Sequence, residues 1–196
     1  MVFKPTDFWQ ELTTPNQQVS QHWWPHVLLV GVIALLSIHF IGLDTGQVYQ
    51  SDYFRWVHLI FLPFHEAGHI FFGFFGQFMG SLGGTLGQLI LPLVFCYAFF
   101  RHRHDTFATA VCAWWFGLNF LDIAPYLADA RAGVLPLLGG NFGHSSPYGF
   151  HDWHYLLNET GLIGYDQGLA TMCLWFGRTL IIGCNYWLLK LLVAAK

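Results

Sequence analysis

The sequence predicts an all-α, polytopic membrane protein of about five transmembrane helices with an HExxH zinc site inside the bundle. Three observations carry this expectation. Apolar stretches recur along the chain, and about 20 such residues suffice for one helical crossing. Only 10% of the 196 residues are charged, against 55% hydrophobic and 19% aromatic, and mean hydropathy is +0.45; a soluble domain carries about 25% charged residues. Finally, His65-Glu66-Ala67-Gly68-His69 stands inside an apolar run, where ionisable groups are costly and mark function.

The elements follow in order. Residues 1–25 are polar and Pro-interrupted, with Lys4 as their one Lys or Arg. They read as an interfacial segment rather than a signal peptide, with Trp23 and Trp24 at the membrane interface. The first span covers about 26–43 and holds His39, expected to be a neutral, hydrogen-bonded histidine. Residues 44–52 are polar and read as a loop. The second span covers about 54–79, with Arg55 and His58 near its start, Pro63 as a kink before the motif, and Gly68, Gly73 and Gly76 thinning one side.

Gly80, Gly83, Gly84 and Gly87 are expected to form a tight connection into a third span at about 85–100. Two readings stand for them: a close helical hairpin, or an extended edge able to pair with an unfolded strand. Arg101-His102-Arg103-His104-Asp105 is the most positive loop and reads as cytoplasmic. The fourth span covers about 107–127, with Asn119, Asp122 and Pro125. Residues 132–167 lie outside the membrane, with a short helix from Asp152 over the bundle. The last span covers about 168–193 and carries Arg178, expected to pair with Asp122 or Asp129. Nothing divides the chain, so 1–196 reads as one membrane domain. Cys96, Cys112, Cys173 and Cys184 form no CxxC pair and read as small core fillers. No nucleic-acid motif occurs, so nucleic acid is not an expected partner.

On a helix, His65 and His69 lie one turn apart on one face. That spacing lets both imidazoles grip one zinc ion and sets Glu66 beside it as a general base. A catalytic zinc needs a third protein ligand. Helix depth leans towards Asp122, Asp129 lies farther out, and His151, Asp152 and His154 could reach in from the loop. Asp152-Trp153-His154 reads equally as a helix start with an interfacial Trp. Candidates for substrate or oxyanion contacts are Asn119, His151, His154 and Arg178.

The motif, followed by Asn119-Phe120-Leu121-Asp122-Ile123-Ala124-Pro125-Tyr126-Leu127-Ala128-Asp129, resembles the site-2 protease family of intramembrane zinc metalloproteases. The resemblance covers about residues 54–131. It implies His65, His69 and Asp129 as zinc ligands, Glu66 as catalytic base and Asn119 as a substrate contact. The family's Leu-Asp-Gly reads Ala128-Asp129-Ala130 here, the spacing from Asn to Asp is longer, and no PDZ-like insertion is present.

These readings give an expected function: hydrolysis of a peptide bond in or near a transmembrane segment of a membrane-protein substrate. The expected setting is the lipid bilayer, as a multi-pass protein of a bacterial inner membrane, with a membrane partner or a second copy as further associates. Two alternatives are a non-catalytic metal-binding subunit of a membrane complex and a His-rich di-iron hydroxylase or desaturase. The three histidine pairs, His65/His69, His102/His104 and His151/His154, are few for the latter.

Overall fold

The computed structural model describes residues 10–138, 142–143 and 151–196, apart from the side chains of Tyr49 and Tyr53. Residues 1–9 of the expected interfacial segment and parts of the 132–167 loop lie outside them. The elements are α1 (Gln17–Gln21), α2 (Trp23–Ile41), α3 (Thr45–Gln50), α4 (Asp52–Gly73), α5 (Gln77–Ala98), α6 (Thr106–Ala128), α7 (Asp152–Glu159) and α8 (Asp166–Ala195), with a π-helical turn at Phe99–Arg103 and a 3-10 turn at Ile163–Tyr165. Among the described residues no strand forms, only an isolated bridge between Pro136 and Phe142.

Four stretches are long and apolar enough to cross a membrane: Trp23–Ile41, Gln77–Arg103, Thr106–Ala128 and Ile163–Ala195. In three of them the side chains stay largely outside the core, while Thr106–Ala128 is more than half buried. Leu28, Leu35 and Ile38 on α2 are each at least 70% exposed. So continuous an apolar surface suits a lipid environment, not water. The remaining expected span, α4, has 22 residues and is long enough. Its three histidines, Arg55 and Glu66 dilute its apolar content, and it is not among the four.

By internal contacts the chain forms two units, Met1–Gly42 with Pro92–Leu118 and Arg178–Lys196, and Leu43–Leu91 with Asn119–Gly177. The first has an apolar core of Val19, Val30, Ile33, Phe107, Ala110, Leu188, Leu191 and Leu192. A buried hydroxyl ties its helices. Ser37 Oγ donates to Ile33 O (2.7 Å) and accepts from Trp114 Nε1 and Asn185 Nδ2, both at 2.8 Å. Polar links of this kind join helices where water is excluded. The positive 101–105 segment is partly helical: the π turn ends at His104, in the left-handed region with φ 49°. Asp105 Oδ1 then accepts the N–H of Ala108 at 2.9 Å and starts α6. The four cysteines are free thiols, with Cys112 and Cys184 buried, as core fillers should be.

The second unit begins with local capping. Residues 44–52, expected to be a loop, instead contain α3, because Asp44 and Gln47 form a reciprocal capping box. Ser51 then caps α4 through the Phe54 N–H. The connection after α4 is shorter than expected. It occupies residues 74–76, closed by Gly76 at φ 100°, and α5 already starts at Gln77. The glycines from 80 to 87 are therefore helical, and the extended-edge reading is replaced by the close hairpin. Their spacing explains this: positions 80, 83, 84 and 87 share one helix face. A Cβ on Gly68 would overlap Gly83 O, and one on Gly87 would overlap Phe64 O. The backbones of α4 and α5 thus meet without side chains between them. The second unit's apolar cluster is Leu127, Ala130, Leu157 and Ala170.

Gly68→Ala should therefore force α4 from α5 and cost at least about 1–3 kcal/mol, read as a lower midpoint of thermal unfolding in detergent. Gly73→Ala on the same helix, whose Cβ would meet nothing within 4 Å, should unfold like the wild type.

Candidate metal centre

The site lies wholly in the second unit. Helical spacing on α4 brings the His65 and His69 rings together, with centroids 4.7 Å apart. Each ring is oriented through Nδ1. His65 Nδ1–H donates to Gln88 Oε1, and His69 Nδ1–H donates to Gly80 O, both at 2.8 Å. Both acceptors lie on α5, so the glycine crossing that brings α5 close also sets the two rings. With Nδ1 protonated, the lone pair of each neutral imidazole sits on Nε2.

Both Nε2 atoms face the same carboxylate. Asp152 Oδ2 is 3.3 Å from His69 Nε2 and 3.5 Å from His65 Nε2. With no proton on either Nε2, three acceptor atoms facing one point repel; a proton on one Nε2 or a metal cation between them removes the repulsion. The separations suit a metal. Tetrahedral zinc bonds of about 2.0–2.1 Å give ligand–ligand edges of about 3.3–3.4 Å. His65, His69 and Asp152 are a group whose ligand atoms lie within 4.8 Å of one another and could hold a metal ion.

Space around the group is kept by Gly84. A Cβ there would lie 2.5 Å from His65 Nε2 and 2.6 Å from His69 Nε2, in the room a bound ion needs. Glu66 lines the same cleft, of about 1160 Å³, as His65, His69 and Asp152.

Asp152 is held by its own supports. His151 caps α7, accepting the His154 N–H on Nδ1 at 3.2 Å. This places Asp152 in the first turn, where the helix dipole favours an anion. The Tyr126 hydroxyl donates to Asp152 Oδ2 (3.3 Å) and accepts the Asp152 N–H (3.1 Å). Tyr126 in turn stacks on His151, with centroids 4.3 Å apart. Burial works to raise the Asp152 pKa, but without a metal ion His65 and His69, when protonated at Nε2, outweigh it and hold the carboxyl below its ordinary value. Burial lowers the His151 pKa, against the pull of Asp129, and keeps that ring neutral.

The sequence expectations divide here. His65 and His69 meet as expected, with Glu66 lining the same cleft, and the carboxylate that faces their Nε2 atoms is that of Asp152, one of the residues expected to reach in from the loop, rather than that of Asp129. The Asp129 carboxylate is engaged elsewhere: it accepts the N–H groups of Val134 (3.0 Å) and Leu135 (2.9 Å) and lies 3.4 Å from His151 Nε2. Two backbone amides leave it fastening the chain after α6. The alternatives also have other work. Asp122 accepts from His58 Nδ1 (2.8 Å) and Gln88 Nε2 (3.3 Å). His151 is a helix cap.

His154 donates Nδ1–H to Ala130 O at 2.7 Å, and its Nε2 faces Asn158 Nδ2 at 2.8 Å. Asn119 is fully buried and does not line the cleft, and Arg178 belongs to the other unit. Among the described residues one group of three candidate ligands forms. Gln88 was not foreseen. Its signal is a lone amide one turn beyond Gly84 in an apolar run.

Comparison with protein-family models, with characterised proteins and with solved structures finds no match to this chain.

Metal analysis of the detergent-purified protein should find one ion per chain, lost in both His65→Ala and Asp152→Asn and retained in Asp129→Asn. Gln88→Ala should weaken metal binding about 10–100-fold, as loss of a ligand-orienting partner does.

Proposed function

We propose that the chain is a multi-pass membrane zinc metallopeptidase that hydrolyses a peptide bond in or near a transmembrane segment. The observation that carries this reading is the convergence of two bare imidazole nitrogens and one carboxylate oxygen beside Glu66. Two histidines and a carboxylate are a ligand set of catalytic zinc, leaving one position open. The HExxH resemblance to site-2 proteases points the same way, with Asp152 in the place that the resemblance gave to Asp129. Zinc is preferred to a harder ion because two of the three donors are imidazoles.

In this reading α4 is the fifth membrane-embedded helix. Its C-terminal end supports that: Ile70, Phe71, Phe74 and Phe75 are each at least 65% exposed. A bacterial inner membrane is the proposed setting.

His65, His69 and Asp152 would hold the zinc, which when bound supplies a polarised scissile carbonyl and an acidified water. Glu66 takes one proton from the attacking water as its oxygen bonds to the carbonyl carbon. As the C–N bond breaks, Glu66 returns that proton to the leaving amine, so the carboxylate is regenerated. The Tyr126 hydroxyl keeps Asp152 aimed throughout. The unwound segment of a single-span membrane protein is the expected substrate.

A non-catalytic metal-bearing subunit is the rival reading, and it has no use for Glu66. Glu66→Gln should keep its zinc and lose cleavage of co-expressed single-span proteins by about 10²–10⁴-fold, read from product bands on immunoblots. Unchanged cleavage in that variant would end the peptidase reading.

A further inference from the structure

The cleft does not stop at the metal group. Phe54, His58, Leu62, His65, His69 and Gly73 all line it, and their spacing puts them along one side of α4. From Phe54 to Gly73 the helix rises about 28 Å. An extended chain of about eight residues covers that length at roughly 3.3 Å each. The groove therefore has the dimensions of an unwound peptide segment lying along α4, and a single side chain would fill little of it.

One polar side chain in this groove plays no part in holding the metal. His58 is half-exposed, and its Nδ1 donates to Asp122 Oδ1 at 2.8 Å, while Asp122 itself is 7% exposed. The other oxygen of Asp122 accepts Gln88 Nε2 at 3.3 Å, and Gln88 Oε1 accepts His65 Nδ1 at 2.8 Å. One buried carboxylate thus orients two rings, a metal ligand through Gln88 and His58 directly. With Nδ1–H committed to Asp122, the other ring nitrogen of His58 is Nε2, which accepts when the ring is neutral and donates when it is protonated. His58 precedes His65 by seven residues, which is two turns and about 10.5 Å on nearly the same face. Three residues of extended peptide cover about the same distance.

We propose that His58 is a substrate-positioning residue: its Nε2 hydrogen-bonds the backbone of an extended peptide, at an N–H or a C=O, about three residues from the bond acted on at the metal centre. Asp122 presents the ring for that contact. The ligand class is an unwound peptide with at least three residues on one side of the scissile bond. This inference rests on the peptidase reading and adds a specificity contact to it.

The test uses the full-length, zinc-loaded protein in detergent and titration calorimetry with hydroxamates. Acetohydroxamate probes the metal alone. Hydroxamates carrying a four-residue Ala-Leu tail, attached on one side or the other, probe the groove. His58→Asn keeps an amide donor for Asp122 but withdraws the outer nitrogen; His58→Gln restores a polar atom near the Nε2 position. The tail on one side should tighten binding to the wild type. His58→Asn should lose about five- to tenfold of that gain, the worth of one hydrogen bond, and His58→Gln should recover part of it. All three proteins should bind acetohydroxamate alike. An equal gain from the tail in all three, or no gain in the wild type, would overturn the role of His58 and leave the metal centre standing. Failure of acetohydroxamate to bind any of them would overturn the proposal together with the peptidase reading.

Discussion

Three atoms that all carry lone pairs face one point in this protein: Nε2 of His65, Nε2 of His69 and Oδ2 of Asp152. Such an arrangement is repulsive by itself, and the surrounding structure holds it in place. Gln88 and Gly80 on α5 fix the two rings by taking their Nδ1 protons. Tyr126 on α6 and the His151 cap of α7 fix the carboxylate. A cation at the centre, a metal ion or a proton on one Nε2, turns the repulsion into attraction, so the group could hold a metal ion. A bare polar cluster that merely joined helices would pair donors with acceptors, as Ser37 does with Trp114 and Asn185.

The glycine face of α5 makes the arrangement possible. Gly83 and Gly87 let α5 approach α4 to backbone contact, and Gly84 leaves the space beside the two imidazoles clear. The same approach brings Gly80 O and Gln88 within reach of the rings. Packing and chemistry therefore share residues here. A substitution that loosens the crossing also disorders the ligands, although it touches no atom that would bind the metal.

Much of this was legible in the sequence. The apolar runs and the charge deficit gave the helical membrane architecture, and the four-residue spacing of His65 and His69 gave a shared helix face because that spacing is fixed by helix geometry alone. Which carboxylate faces the two rings was not settled by the sequence, although Asp152 stood among the candidates. Asp129 and Asp152 are both aspartates near a helix end, and what separates them is which backbone amides each one meets. Asp129 meets those of Val134 and Leu135, through a chain path that no local pattern encodes. The glycines from 80 to 87 misled for a related reason. Glycine is a poor helix former, so four of them read as a connection, until close packing against α4 outweighed that propensity. His58 and Gln88 were isolated polar residues on apolar helices, a signal visible in the sequence but without a partner until α4, α5 and α6 were assembled.

In the proposed reading Asp152 completes a zinc site with His65 and His69. Zinc X-ray absorption of the purified protein, beside an Asp152→Cys variant, tests it most directly. The account expects only nitrogen and oxygen neighbours at about 2.0–2.2 Å in the wild type, and one sulfur at about 2.3 Å appearing in Asp152→Cys. A variant that binds zinc with no sulfur neighbour, or a wild-type protein that binds no zinc, would contradict it.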